Sequence, residues 1–426
     1  MVYMPHSFVV ILGKAVRYAA RLRGGGSALP GLFVERISPD FIKQTLGQLP
    51  RGVVIISGTN GKTTTTKMVV ALLEAHGLKV FTNRTGSNFS RGVAAALLGD
   101  IDIKGKLDAD IAVLELDEAH AVHFVQTIPP RYSLLLNVMR DQLDRFGEID
   151  ATAKMLEKIA VATTDTVVLN REDSRVLAIK DLLAGQKIEL FGLSDALLAD
   201  FPSDDDMHSE TVTKAKRPPA TVILKKYSGN EATYELGGKE FSTTLKLNGV
   251  YNVFNSAAAI ALTHAVLGNE TKGDIVLSTI AEVTPAFGRG EELTVGGQPL
   301  ELVLVKNPSG FRLGLKSFSP VGYATMIAIN DNYADGRDMS WLWDVDFESL
   351  SEEGVAEVAG IRAYDMALRL QYDEVTIGHI EKDLVTALRQ FIDTNKDRPK
   401  RIYCTYTAML ALRRELSKIT KVEVIS

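Results

Sequence analysis

Residues 58–67 read GTNGKTTTTK and combine the residue types that hold a polyphosphate. They follow an apolar run, VVIIS, and precede a helical pattern, so their glycines lie in a turn between a strand and a helix. Glycines let backbone N–H groups approach phosphate oxygens, the helix N-terminus adds partial positive charge, and a lysine neutralises phosphate charge. The segment therefore predicts a nucleotide site, whose contact residues are Gly58, Thr59, Asn60, Gly61, Lys62, Thr63 and Thr64.

The loop departs from the general pattern G-x-x-x-x-G-K-[ST], because Ile56 occupies the position of the first glycine. The nearest glycine is Gly58, so the loop is a shortened variant. The Thr63 hydroxyl opens the helix, where it can reach a Mg²⁺ ion bound to the phosphates. The loop thus predicts ATP and Mg²⁺ as cofactors, and the rival interpretation is a plain glycine turn with a solvated lysine.

The composition restricts the class of protein. A chain of 426 residues is long enough for two or three domains, and its formal net charge of -5 gives no general argument for nucleic-acid binding. The only cysteine, Cys404, excludes an internal disulfide and a cysteine-rich zinc site. No apolar run reaches the roughly 18 residues that span a bilayer. We therefore expect a cytoplasmic protein with no structural zinc and no nucleic-acid partner.

The first residues form a basic amphipathic pattern, in which apolar Phe8, Ile11 and Val16 alternate with Lys14 and Arg17 at helical spacing. Two interpretations stay open. The helix could lie on the inner face of the membrane, with its apolar side in the lipid. The commoner arrangement is a helix packed on the body of the protein with its basic face in water.

Strand and helix patterns alternate from Val53 onward, which predicts an α/β fold with a parallel sheet covered on both faces. Ligands of such a sheet lie beyond the carboxyl ends of its strands. The patterns predict an N-terminal helical extension at 1–50, a central P-loop ATPase domain at 51–290 and a smaller, Rossmann-like α/β domain at 291–426. A polar stretch at 201–219 predicts a loop, and residues 220–241 predict a hairpin.

Several motifs, in this order, resemble the Mur ligase superfamily, whose shortened phosphate loop also reads GTNGKTT. Glu115 stands at a strand end, where Mur-type ligases hold Mg²⁺. Residues 137–150 are similar to the superfamily's N-x-x-x-D-H-L-D-x-H-G segment, although Gln142 replaces the usual histidine. The segment at 248–262 resembles the helix start that places Asn252 and Asn255 near the adenine, and Arg289 matches the arginine before the last domain.

That resemblance implies a ligase in which ATP phosphorylates a carboxylate and an amine displaces the phosphate. It implies Thr63 and Glu115 as ligands of Mg²⁺, and Lys62 and Glu115 as catalytic groups. Only about fifty residues precede the loop, which leaves no room for the UDP-sugar domain of classical peptidoglycan ligases. Folylpolyglutamate synthases are expected to carry D-G-A-H-N-P, where this chain reads VKNPSG at 305–310.

The acid-rich segment at 329–348, INDNYADGRDMSWLWDVDFE, follows a strand-like run and holds both tryptophans. Together with KNPSG and RDQLDRFGEID it resembles the MurT family, the ligase subunits of lipid II isoglutaminyl synthase. The resemblance implies amidation of the α-carboxyl of D-glutamate in the stem peptide of lipid II, with Asp338 as a required acid. Two alternatives remain: a ligase that adds an amino acid, as Mur and folylpolyglutamate ligases do, or an ATP-gated scaffold without turnover.

The setting of the single cysteine indicates whether this chain can release ammonia from glutamine itself. A glutaminase needs a nucleophilic cysteine on a sharp, glycine-flanked turn, whereas Cys404 lies in the strand-like run RIYCTYT. The resemblance implies a separate GatD-like glutaminase subunit. Many relatives carry a four-cysteine zinc ribbon around residues 204–240, and this chain has none there. Glu118, His120 and His123 have a spacing that could bind a metal, but histidines that begin a helix are commoner.

Overall fold

The computed structural model describes residues 6–22, 29–83, 89–139, 149–201, 217–247, 249–284 and 289–422. Within these residues the chain forms a large sheet of nine strands and a second sheet of six strands. The strands of the large sheet are β1 Val53–Ser57, β2 Val80–Thr82, β3 Ile111–Glu115, β4 Tyr132–Leu135, β5 Thr166–Asn170, β6 Lys187–Leu193, β7 Val222–Ser228, β8 Glu231–Leu236 and β9 Lys239–Thr244. The helices of this part are His6–Leu22, Leu29–Ile37, Phe41–Leu46, Lys62–Ala75, Ser90–Asp100, Glu118–Thr127, Ile149–Ala162, Ser174–Ala178, Val250–Leu267 and Gly273–Glu282.

The large sheet has the order β2-β3-β1-β4-β5-β6-β7-β8-β9. The strands from β2 to β7 run parallel, and β7, β8 and β9 form an antiparallel meander. Every residue of β1, β3, β4 and β5 is buried, as expected of strands covered by helices on both faces. Two separate apolar clusters, one on each face, hold the helices against the sheet.

The second sheet has the order β10-β11-β15-β12-β13-β14, and only the β10–β11 pair is antiparallel. Its strands are β10 Arg289–Val295, β11 Gln298–Leu304, β12 Ala324–Ala328, β13 Val355–Ala359, β14 Ile377–Glu381 and β15 Lys400–Cys404. Its helices are Pro308–Ser317, Ala363–Tyr372, Leu384–Thr394 and Tyr406–Leu416. The carboxyl ends of β11, β15, β12 and β13 therefore meet at one edge of this sheet.

The structure confirms the predicted α/β fold, its parallel sheets and the hairpin at 220–241. The domain boundaries stay a prediction, and most of the predicted polar loop, at 202–216, lies outside the described residues. The N-terminal helix packs on the body of the protein through Val9 and Val10. Its solvated side is not simply basic, however, because Phe8, Ile11 and Tyr18 are exposed. Among the described helices, none is both long and apolar enough to cross a bilayer.

Candidate active site

The phosphate loop joins β1 to the helix Lys62–Ala75, as the sequence predicts. Gly58 and Gly61 have φ angles of 131° and 89°, which side-chain-bearing residues rarely adopt. A Cβ atom on Gly61 would lie 2.6 Å from Oδ1 of Asn255, so glycine is required for space as well as for conformation. The backbone N–H of Asn60 donates to Asn137 Oδ1 at 2.8 Å, and Asn137 Nδ2 donates back to Asn60 O at 3.0 Å.

Lys62 lies in the first turn of the helix and points back into the loop. Its Nζ donates to the carbonyl oxygen of Gly58 at 2.5 Å and to that of Thr59 at 3.3 Å. A third contact, of 3.2 Å, joins Nζ to Oε1 of Glu118, whose side chain is 3% exposed. The ammonium is thus already fixed at the mouth of the loop by an almost fully buried carboxylate.

Thr63 and Glu115 form the second polar pair of the loop. The Thr63 hydroxyl donates to Glu115 Oε1 at 2.8 Å, and Glu115 is buried at the carboxyl end of β3. Asn83 follows β2, the strand beside β3. Its side chain makes hydrogen bonds to both backbone groups of Glu115. Its Nδ2 donates to Glu115 O at 2.8 Å, and Glu115 N donates to Asn83 Oδ1 at 3.0 Å.

The Thr63–Glu115 pair has the chemistry that Mg²⁺ prefers. A hydroxyl and a carboxylate at the end of a strand, beside a phosphate loop, supply hard oxygen ligands and leave further positions for phosphate and water. The Thr64 hydroxyl is buried and has no hydrogen-bond partner among the described residues, although Thr64 lines the cleft above the loop. An unpaired buried hydroxyl is costly, and a phosphate oxygen would satisfy it. These residues therefore fit a magnesium nucleotide.

The cleft above the phosphate loop lies between the domain of the large sheet and the domain of the smaller sheet. Asn252 and Asn255, from the start of the helix Val250–Leu267, line it on the side of the large sheet. Lys306 and the helix Pro308–Ser317 line it on the opposite side, together with Phe318. The structure thus places Asn252 and Asn255 beside the loop, and their role at the adenine stays a prediction.

Asn307 joins the two domains directly. It follows β11, and its Nδ2 donates to Asn60 Oδ1 at 3.3 Å while Asn60 Nδ2 reaches Asn307 Oδ1 at 3.5 Å. The same Oδ1 accepts from Gly310 N at 2.7 Å and caps the helix Pro308–Ser317. The carboxyl edge of the smaller sheet is therefore in contact with the phosphate loop.

The acid-rich loop follows β12 at the same edge of the smaller sheet. Contrary to a simple solvated turn, Asp335 is only 4% exposed and accepts from both the N–H (2.7 Å) and the hydroxyl (2.5 Å) of Thr407. Burial raises the pKa of the Asp335 carboxyl, and the hydrogen bonds from Thr407 oppose that rise. Asn330 and Asn332 donate to the same hydroxyl at 3.0 and 2.9 Å, so the loop is tied to the strand end of β15.

Asp338 lies three residues further along this loop and is half-buried. Its Oδ1 accepts from Ser340 N at 2.9 Å, the start of a short helical turn that carries both tryptophans. Trp341 is buried, whereas Trp343 is exposed and packs edge-on against Tyr372. Asp338 is not among the residues that line the cleft at the phosphate loop. The structure places it at the same sheet edge, in the loop that follows β12.

The remaining predicted residues lie partly outside the described part of the chain. The side chain of Arg289, at the start of β10, and residues 140–148 with Gln142 lie outside the described residues. Of the predicted acid and histidine set, Glu118 pairs with Lys62, His120 packs on Phe89 at 5.1 Å between ring centroids, and His123 is exposed. No group of three or more His, Cys, Asp or Glu side chains suited to a metal occurs in the described part of the chain.

The sequence assigns no role to Asn83 or Asn307, and it presents Glu118 only as a possible metal ligand and not as the partner of Lys62. Asn83 and Asn307 each follow a strand, and Glu118 lies three residues beyond Glu115. The available signal was positional: polar residues just after the carboxyl ends of parallel strands meet at one edge. Their partners depend on strand order, which places β2 beside β3 and brings β11 to the phosphate loop.

Two family models match the chain. Residues 56–263 match the Mur ligase middle domain, and residues 304–409 match the MurT ligase C-terminal domain. The structure of MurF from Acinetobacter baumannii aligns with a TM-score of 0.69 at 15% identity, over 92% of this chain and 80% of that chain. MurF ligase from Thermotoga maritima in complex with ADP aligns with a TM-score of 0.66 at 17% identity, over 89% and 84%. The chain therefore has the fold of the Mur-type ligases, and its phosphate loop lies in the segment that matches their middle domain.

The sequence relatives are more specific. Lipid II isoglutaminyl synthase (glutamine-hydrolyzing) subunit MurT of Streptococcus pneumoniae is 31% identical over 96% of this chain and 96% of its own length. The chain belongs to the MurT family. This confirms the family resemblance that the motifs at 58–64, 306–310 and 329–348 predict, and with it that the chain is a ligase subunit.

Proposed function

We propose that this chain amidates the α-carboxyl of D-glutamate in the stem peptide of lipid II, using ATP and ammonia. One observation carries the proposal: the carboxyl edge of the MurT-type domain contacts the phosphate loop through Asn307 and Asn60. A carboxylate substrate lying between the domains would have the γ-phosphate on one side and the acid-rich loop on the other. The match to the MurT subunit of Streptococcus pneumoniae supports lipid II as the substrate, because the name of that relative includes lipid II.

In the first step a carboxylate oxygen of the substrate attacks the γ-phosphorus, and the bond to the β-phosphate oxygen breaks. The products are an acyl phosphate and ADP. Lys62 is positioned to neutralise charge on the transferred phosphate once its ammonium exchanges the carbonyl of Gly58 for phosphate oxygens. Thr63 and Glu115 would hold Mg²⁺, which when bound offsets the charge of the β- and γ-phosphates.

In the second step ammonia attacks the acyl carbon, the C–O bond to phosphate breaks, and the nitrogen loses one proton. The products are the primary amide and inorganic phosphate. We assign Asp338 to this step, as a group that orients ammonium or accepts its proton, because it follows β12 at the edge that faces the phosphate loop. Asp335 acts as a positioning residue, since its bonds to Thr407 hold the loop.

The ammonia is proposed to come from a GatD-like glutaminase subunit. Cys404 is fully buried, and burial raises the pKa of its thiol, so it is a poor nucleophile. The word subunit in the relative's name supports a partner chain. The glutaminase subunit could bind one exposed face of the helix Ala363–Tyr372, which carries Tyr364, Leu368 and Tyr372. This helix contacts the acid-rich loop, where Tyr372 packs on Trp343.

The test is mass spectrometry of lipid II incubated with the purified chain, ATP, Mg²⁺ and concentrated ammonium salt. The expected result is the mass change of one carboxyl converted to an amide, together with release of ADP. A matched incubation replaces ammonium by glutamate, and product there would instead establish an amino-acid-adding ligase. The Asp338→Asn variant is the control, because it should still bind nucleotide but lose amide formation at least about a hundredfold.

A partner that completes the site gives a separate outcome. If amidation requires a glutaminase subunit even at high ammonium, its addition without glutamine should restore the reaction. No amide under any of these conditions, with ATP binding intact, would refute the proposed function.

A further inference from the structure

The N-terminal helix His6–Leu22 has two apolar faces, and only one of them is used by the fold. Val9 and Val10 are fully buried in the core of the large domain. A Cβ atom on Gly13 would lie 2.7 Å from side-chain atoms of Val34 and of Leu98, so the helix approaches its neighbours closely. This face fixes the helix on Leu29–Ile37 and Ser90–Asp100.

The opposite face is apolar and exposed. Phe8 is 51%, Ile11 55% and Tyr18 67% exposed, and Ala15 between them is also exposed. Their spacing of three, four and three residues places these four side chains on one side of a helix. Large apolar side chains rarely form such a row in water unless something covers it.

The formal charge of the N-terminal segment is opposite to that of the whole chain. Residues 1–36 contain five basic residues, Lys14, Arg17, Arg21, Arg23 and Arg36, and a single acid, Glu35. The complete chain has a formal net charge of -5. Lys14 is half-buried beside the exposed row, so its stem can pack while its charge reaches outward, whereas the guanidinium of Arg17 lies against Gly99 of the neighbouring helix. A positive apolar face on an acidic protein complements an anionic lipid surface.

We propose that the exposed face formed by Phe8, Ile11, Ala15 and Tyr18 docks the protein on an anionic membrane. The helix lies in the plane of the interface and does not cross it, consistent with the absence of a membrane-spanning helix among the described residues. Docking brings the active site to a lipid-linked substrate, and this purpose rests on the proposed function. The docking itself does not depend on it.

The docking helix is physically connected to the active site. It packs on Leu98 of the helix Ser90–Asp100, and Phe89, just before that helix, packs on His120. His120 lies two residues after Glu118, which pairs with Lys62. A chain of contacts therefore links the docking helix to the phosphate loop, although the docking helix and the helix Lys62–Ala75 pack on opposite faces of the large sheet.

The test is co-sedimentation of the full chain with vesicles of phosphatidylcholine, with and without phosphatidylglycerol, in the absence of ATP and substrate. The protein should bind the anionic vesicles, and added salt should weaken binding. The double variant Phe8→Gln/Ile11→Gln should bind at least about tenfold more weakly, because two apolar anchors are lost. Lys14→Gln, which removes one charge, should lower binding about fivefold.

Ile103→Gln/Val161→Gln is the matched control, since it also replaces two exposed apolar residues but elsewhere on the surface. It should bind vesicles as the parent does, and thermal melts should show that all variants fold. The proposal is overturned if the parent does not bind anionic vesicles or if the Phe8/Ile11 variant binds them as well as the parent does. It is also overturned if light scattering shows a dimer that this variant alone dissociates, because a second copy would then cover the face.

The two proposals fail in different ways. Loss of vesicle binding with normal amidation of a short, lipid-free substrate analogue would refute docking alone. Normal vesicle binding without any amidation would refute the proposed function alone.

Discussion

Lys62 shows how the loop is held before nucleotide arrives. Its ammonium contacts two loop carbonyls and the buried carboxylate of Glu118, so the charge that a phosphate needs is already in place. Nucleotide binding requires only that Lys62 exchange carbonyl oxygens for phosphate oxygens. Preorganisation of this kind removes part of the ordering cost of binding.

Gly61 should be irreplaceable for nucleotide binding. Gly61→Ala combines an unfavourable φ of 89° with a Cβ only 2.6 Å from Asn255 Oδ1, and we expect a loss in ATP affinity of at least about tenfold. Gly77→Ala is the matched control, because Gly77 has the same φ of 89° but open space around it. Isothermal titration with ATP checks this, and equal affinities for the two variants would contradict it.

Glu115 should matter for the metal more than for folding. Glu115→Gln keeps an oxygen for the Thr63 hydroxyl but removes the negative charge, so the Mg²⁺ concentration that supports half-maximal turnover should rise at least about tenfold. Glu118→Gln is the comparison, since it neutralises a similarly buried carboxylate that contacts Lys62. It should weaken ATP binding with little change in Mg²⁺ dependence, and the reverse pattern would assign the metal to Glu118.

At the scale of elements, the sequence predicts most of what the structure contains. Apolar strands such as β1 and β3 were recognised because they are buried on both faces, and the GTNGKTT loop because its glycines and lysine form a local pattern. The sequence does not predict strand β10, because the segment RGEELTV carries charges and a glycine and lies across the predicted domain boundary at 290/291. The pairs Asn83–Glu115 and Asn60–Asn307 were beyond prediction, because they depend on strand order and on domain contact.

One helix–sheet contact should respond to pH. His264, on the helix Val250–Leu267, contacts Glu189 Oε2 of β6 at 3.2 Å, and this hydrogen bond raises the histidine pKa although burial opposes it. A raised folded-state pKa stabilises the fold fully below the unfolded pKa of about 6.5, and the contribution disappears as pH rises through the folded pKa.

His264→Gln should therefore lower the free energy of unfolding by about 0.5 kcal/mol near pH 5.5 and by less near pH 8.5. Thermal melts of parent and variant at both pH values check this. Glu189→Gln should reproduce the pattern, because it removes the same pair. A difference that grows with pH would contradict the assignment.

At the scale of the whole molecule, the two domains meet across a cleft that polar and apolar residues line together. Asn60 and Asn307 make one direct polar contact, and the residues that line the remaining space come from both sides. A small polar contact leaves domains free to move relative to each other until a ligand fills the space between them.

ATP with Mg²⁺ should therefore make the molecule more compact. A fully compact chain of this length has a radius of gyration of about 22 Å, and small-angle X-ray scattering should show the measured value falling toward it at saturating nucleotide. The Gly61→Ala variant should need at least about tenfold more nucleotide to reach the same change. An unchanged radius in the parent, with nucleotide binding confirmed by calorimetry, would mean that the cleft is already closed.

The burial of Cys404 has a practical consequence for following that motion. The chain has no other cysteine, and this thiol is fully enclosed at the end of β15, beside β11, with its Sγ 3.9 Å from Val303 O. A maleimide dye should leave it untouched in the native protein. Cysteines introduced at exposed Ile103 and Tyr333 would then take up a donor and an acceptor dye without removing any native residue from the core. Energy transfer between the dyes could report opening and closing of single molecules during turnover.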